Sequence, residues 1–186
     1  MNLNRLTGPA SEPASLAEAK AHLRVDLNDD DALIGALIST AREWVEAQTA
    51  RALMTQTWRM SMDVWPKGDA ITLVRAPVQA IIAVRTIGTN GGATVWPSSA
   101  YSLAIGSEPS RLLKIDGDWP GLDRMQGGVE IDLTCGYGNN PSDVPQALRR
   151  AVLMCTTHLY ERRGDAADGG LGDIQALLAP FRVWRL

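Results

Sequence analysis

Lysine is nearly missing from this 186-residue chain: only Lys20, Lys67 and Lys114 occur among its 18 basic residues, and the rest are arginine. Arginine's planar fork favours interface ion pairs over loose solvation. A GC-rich coding sequence accounts for the same bias and carries at least equal weight. A basic excess is also lacking. The net charge of −3 argues against nucleic-acid binding through a basic surface. Two cysteines, Cys135 and Cys155, make no disulfide framework, so reduced thiols are expected. No run approaches the roughly 18 apolar residues of a membrane span. The first residues, MNLNRLTGPASEPAS, lack the apolar core of a signal peptide, so soluble intracellular synthesis is the expectation. What is present is ordinary: 45% hydrophobic and 21% charged residues are enough for a core without disulfide or metal.

Catalytic patterns are absent as well. There is no GxSxG, no completed GxGxxG, and no GK[ST] after Gly136-Tyr137-Gly138, which reads as a strand-to-helix turn. Asp26-Leu27-Asn28-Asp29-Asp30 begins like a calcium loop. Asp31 stands where glycine is needed, and Leu37 where the last acidic ligand is needed. Helix capping is the better role for this run. Cys155 and His158 lie three apart on one helix, but no CxxC or HxxxH spacing supports zinc. No catalytic, cofactor or metal residue is assigned.

Periodicity gives the organisation. Residues 1–14, with Pro9 and Pro13, read as an extended arm. Ser15 and Glu18 fit a capping box before a helix over about Leu16–Arg24. A second helix is predicted over about Asp30–Ala50. Its apolar arc holds Leu33, Ile34, Leu37, Ile38, Ala41, Trp44 and Val45, opposite Gly35, Ser39, Arg42, Glu43 and Glu46. From Thr55 the period becomes two, starting with Trp58, Met60, Met62 and Val64. Further strands are predicted at Ala70–Val74, Val78–Ile87, Thr94–Trp96, Tyr101–Ala104, Arg111–Ile115 and Val129–Thr134, with a hairpin at Thr89–Gly92. A helix over about Pro145–Arg163, capped by Asp143, follows. A Gly-rich link (Gly164–Gly172) and a short helix near Ile174–Leu178 close the pattern. The class is α+β: a small helical bundle with an inserted antiparallel β region and an extended C-terminal tail.

Two features point outward. Trp65, Trp96 and Trp119 each precede proline at loop edges and serve as interface anchors or as lids over the sheet. Pro180, Phe181, Arg182, Val183, Trp184, Arg185 and Leu186 form an apolar end with no later element to cover it. Such an end either folds back on its own core or docks on a partner, and docking is favoured.

The residues also resemble a family. LAEAKAHLRVD, then DDALI-x-ALI-x-x-AREWVE-x-x-T-x-RAL-x-TQTW, are similar to the opening of the head–tail connector (adaptor) proteins of tailed bacteriophages and gene transfer agents. Ser107–Leu112, Trp119-Pro120, TCGYGNNPSDVPQALRRAVLMCTTHLYERRG and LLAPFR agree, so the resemblance runs from about Leu16 to Arg182. It implies a structural virion protein without an active site or cofactor. It implies a homo-oligomeric ring, typically twelve-fold, at the head–tail junction, made in the bacterial cytoplasm. Double-stranded DNA passes through the lumen without sequence-specific binding. The portal protein binds one side through the C-terminal segment, a stopper or tail protein binds the other, and no membrane is involved. On this reading 15–163 is one connector domain with a β-rich insertion at about 55–135, and 164–186 is a link, short helix and docking tail. Head-to-tail ring contacts need two different faces. Arg42, Glu43 and Glu46, with Arg149 and Arg150, are the candidate subunit interface. The alternatives are another virion joint, such as a stopper or tail-completion protein, or a small enzyme or ligand-binding module; Cys155 and His158 are the enzyme's best clue.

Overall fold

A computed structural model describes residues 1–106, 108–162 and 171–183. Among these the chain divides into two compact units, each described by itself. The fold is α+β, with helices gathered in one unit and antiparallel strands in the other.

The helical unit comprises residues 9–54 and 137–183. It holds α1 (Leu16–Leu23), α2 (Asp31–Thr49), α3 (Gln146–Arg162) and α4 (Leu171–Leu178). The capping box at α1 forms as expected: Glu18 N–H donates to Ser15 Oγ at 3.2 Å, and Ser15 N–H donates to Glu18 Oε2 at 2.8 Å. The acidic run before α2 works differently from the expectation. Asp30 occupies the cap position without a side-chain capping bond. Its carboxylate instead accepts from the Tyr160 hydroxyl of α3. Lys20 of α1 donates to Asn28 Oδ1 and to Asp31 Oδ1, each at 2.6 Å. The run therefore ties three helices together. Asp143 likewise caps a 3₁₀ turn (Pro141–Asp143), accepting from Asn140 N–H at 2.9 Å, and not α3. That carboxylate also explains Gly138, where any Cβ would overlap it. The core joins Ile34, Ile38, Ala41 and Val45 of α2 to Leu148, Val152 and Cys155 of α3, with Ile174 and Leu178 of α4. Each large side chain buried this way contributes about 1.5–3 kcal/mol.

The β unit comprises residues 1–8 and 55–136. Its strands are β1 (Asn2–Thr7), β2 (Gln56–Met62), β3 (Ala70–Thr72), β4 (Val78–Ile87), β5 (Ala93–Trp96), β6 (Tyr101–Ala104), β7 (Arg111–Lys114) and β8 (Val129–Cys135). They form a five-stranded sheet, β1-β2-β8-β4-β5, and a three-stranded sheet, β3-β7-β6. All pairings are antiparallel. The β4–β5 hairpin closes at the expected turn, where Gly91 takes φ +80° and Asn90 Oδ1 accepts from Gly92 N–H. Residues 1–14, expected as an arm, hold the edge strand β1, which pairs with β2. The expected link, Gly164–Gly172, lies outside the described residues up to Gly170.

Candidate functional site

Both cysteines, the thiols among the sequence's chemical candidates, are buried. Cys155 is buried in the helical core, and burial pushes its thiol up to about 11. Cys135 is buried in the β unit and pushed up to about 12, although the Arg75 cation pulls it the other way. A neutral buried thiol is a poor nucleophile and a poor ligand. Among the described residues no group of three or more His, Cys, Asp or Glu is placed to hold a metal. Both thiols are expected to react with a colorimetric disulfide reagent at pH 7 at least about 100-fold slower in the native protein than in denaturant. Fast reaction of either one in native buffer would restore a reactive-cysteine reading.

The candidate interface residues separate into two groups. Arg42 and Glu46 are only 4% and 3% exposed, so they are not on an outer face. Arg42 Nε lies 2.8 Å from Glu12 Oε2 and its Nη1 lies 3.1 Å from Glu46 Oε2. Glu46 Oε1 accepts from Leu53 N–H at 2.8 Å, holding the turn after α2. Ser39 Oγ donates to Glu12 Oε1 at 2.8 Å. These groups stabilise the subunit's own fold. Arg149 is also used internally: it donates to the Pro13 carbonyl at 2.9 Å and pairs with Glu18. Its Arg149 partner and the Ser15 bonds hold the Glu18 carboxyl below its usual range, the backbone bond from Ser15 acting most strongly. Glu43 and Arg150 remain exposed.

Burying Arg42 and Glu46 turns α2 about its axis relative to the sequence reading. At 100° per residue the buried arc is centred roughly 70° away from the expected one. It runs through Ile34, Ile38, Ala41, Arg42, Val45, Glu46 and Thr49. The opposite stripe carries Leu33, Ala36, Leu37, Thr40 and Ala47, with Glu43 as the charge on it. Leu33 is 42% exposed, and neither it nor Leu37 belongs to the helical core. An exposed helix face this apolar is a candidate contact surface.

The C-terminal segment begins anchored. Phe181 packs against the helical core. Arg51 Nε donates to the Phe181 carbonyl at 2.6 Å, and Arg51 Nη1 donates to the Tyr137 hydroxyl at 3.1 Å. Val183 N–H donates to the Thr49 carbonyl at 3.1 Å. Pro180 is exposed, while Arg182 and Val183 are half-buried. So Phe181–Val183, the start of the segment, follows the folded-back course of the two that the sequence allows. Trp184, Arg185 and Leu186 lie outside the described residues.

One face of the five-stranded sheet is polar and charge-matched. Arg59 Nε and Nη2 grip Asp132 Oδ1 and Oδ2 at 2.7 and 2.9 Å, and Arg85 reaches Oδ2. Arg59 Nη1 lies 3.1 Å from Glu130. Burial raises the Asp132 pKa, but the hydrogen bonds and charges of the two arginines outweigh it, so this carboxyl sits below its usual value. Sequence reading missed this network, although strict alternation on β2 and β8 places Arg59 and Asp132 on one face.

The model of the phage gp6-like head-tail connector protein family matches residues 13–90. No curated protein matches. Among solved structures, the neck of an empty GTA particle computed with C6 symmetry holds a chain 30% identical, with TM-score 0.88. The virion of a native gene transfer agent particle holds one 31% identical, with TM-score 0.86. The neck of a native GTA particle computed with C12 symmetry holds one 30% identical, with TM-score 0.84. Each match covers 100% of this chain and 97% of the other. The family match, together with similarity that spans both chains end to end at this identity, means that the chain belongs to the head-tail connector proteins.

Proposed function

We propose that this connector assembles with copies of itself into a ring at the head–tail junction of a phage-like or gene transfer agent particle. The observation that carries this reading is the full-length likeness to chains from particle necks computed with C6 and C12 symmetry. Twelve copies fit both symmetries. A closed ring needs two unlike faces on each subunit. The apolar outer stripe of α2 supplies one, with Glu43 and Arg150 as exposed polar contacts beside the apolar ones. Arg42, Glu46 and Arg149 act from within, by holding α1, α2 and the preceding loop in place.

Duplex DNA passes through the lumen in this reading. The net charge of −3 and the pairing of Arg59 and Arg85 with Asp132 favour passage without adhesion. The C-terminal end docks on the portal, and a stopper or tail protein takes the other side. Arg51 fixes the base of the docking segment, so Trp184–Leu186 carry the contact. Deleting only Trp184–Leu186 is expected to leave a subunit of native melting temperature whose association with the portal falls at least tenfold. Co-purification with portal-bearing particles and thermal denaturation check both halves. Normal incorporation of the truncated chain would remove the docking role. Extending the deletion to Phe181 is expected to lower the melting temperature too, because that ring packs into the helical core.

A further inference from the structure

The three Trp-Pro steps, far apart in sequence, meet in one place in the β unit. Trp65 and Trp119 stack with centroids 4.8 Å apart and planes 9° apart. Trp96 tilts against both, at 6.0 and 5.4 Å. Each indole of the stacked pair is fixed by a backbone carbonyl: Trp65 Nε1 donates to Pro120 and Trp119 Nε1 to Gly68. The rings are rigidly held yet only half-buried. The loops that deliver them expose further apolar groups, Val64 at 68% and Ile115 at 52%. Trp96 ends β5, the outermost strand of the five-stranded sheet, whose outer edge pairs with no strand among the described residues. Its neighbour Val95 is 60% exposed.

The same loops are acidic. Asp63, Asp116, Asp118 and Asp123 are exposed and have no ion-pair partner among the described residues; Lys67 and Arg124 are unpaired cations near them in sequence. Lys114, paired with Asp69, lies 5.7 Å from the Trp119 ring centroid, leaving Trp65 and Trp96 the more open rings. An open strand edge offers main-chain hydrogen bonds to an extended segment. Rigid tryptophans offer anchoring area at low entropy cost and favour cations and apolar side chains. The carboxylates of Asp116, Asp118 and Asp123 repel DNA and select positive charge.

We propose that this edge and aromatic cluster form the docking site for an extended, arginine- or lysine-bearing segment of another protein of the particle. That segment adds to β5 and seats a side chain on Trp65, Trp96 and Trp119. The proposal rests on the connector reading and names one of its partner surfaces. It is tested in assembled particles carrying Val95→benzoylphenylalanine or Ile115→benzoylphenylalanine, irradiated and mapped by mass spectrometry. The expected product joins these positions to a net-basic peptide of a different protein. The yield is expected to fall at least tenfold when Asp116→Lys, Asp118→Lys and Asp123→Lys are combined. A crosslink to DNA, to a second copy of this chain, to an acidic peptide or to nothing overturns the proposal, as does a yield indifferent to the charge reversal. In all of those cases the subunit is still found in the particles. Its absence from particles, with the unsubstituted chain absent too, would overturn the connector reading as well.

Discussion

Replacing Arg42 by alanine is expected to destabilise the subunit by about 3–5 kcal/mol, the cost of removing one partner from a buried ion pair. Arg42 is 4% exposed and stands between Glu12 and Glu46, with Glu43 at 3.6 Å as a weaker third carboxylate. Without the cation, Glu46 stays buried because its other oxygen holds Leu53 N–H. Its charge then has no partner, and Glu12 adds repulsion. A domain of this size loses about 2–4 °C of melting temperature per kcal/mol, so a fall of roughly 10 °C is expected. Arg42→Lys keeps the charge but cannot serve two carboxylates through a planar fork, so an intermediate loss is expected. Combining Arg42→Met with Glu46→Gln removes the stranded charge and should recover part of the stability. Urea or thermal unfolding of the three variants reads the result. If Arg42→Ala lies within 1 kcal/mol of the parent, the triad does not hold the fold as argued.

The same residues show what the sequence could and could not disclose. Helix bounds, the hairpin at Asn90-Gly91 and the strands β2, β4 and β8 are legible because they depend on local signals: period, turn residues and the Ser15–Glu18 capping box; the roles of Asp30 and Asp143 are not. Nor is the rotation of α2. Periodicity assigns Arg42 and Glu46 to water, and only partners distant in sequence or beyond the helix end, Glu12 and the Leu53 amide, draw them inside. β1 was read as an arm for a similar reason. Its sequence, NLNRLT, has little strand character, and pairing with β2 makes it a strand. Each tryptophan was correctly placed at a loop edge, but no local rule says that three such edges converge. The C-terminal segment was ambiguous because Arg51, which decides its course, lies 130 positions away. The candidate surfaces are thus the least legible part. They are what remains exposed after long-range pairing has taken the rest.

Leu33→Glu is expected to abolish ring assembly while leaving the subunit folded. Leu33 is 42% exposed and outside the helical core, whereas Leu37 beside it is largely buried. A surface change of this kind costs the isolated fold within about 0.5 kcal/mol. If the proposed ring contact uses this stripe, the same side chain enters an apolar interface, where an unpaired carboxylate costs several kcal/mol. A loss of only about 1.4 kcal/mol weakens one contact tenfold. Cyclic symmetry repeats that loss at every joint, so the effect on a closed ring is far larger than on any single pair. Native mass spectrometry or micrographs of portal-bound rings are expected to show at least a tenfold drop in complete rings, with an unchanged melting curve. Glu43→Lys on the same helix should do less, because a rim charge mostly alters association rate and salt dependence. If Leu33→Glu rings form normally while the buried Arg42 variant fails, neighbours meet elsewhere on the subunit and α2 contributes only to the fold.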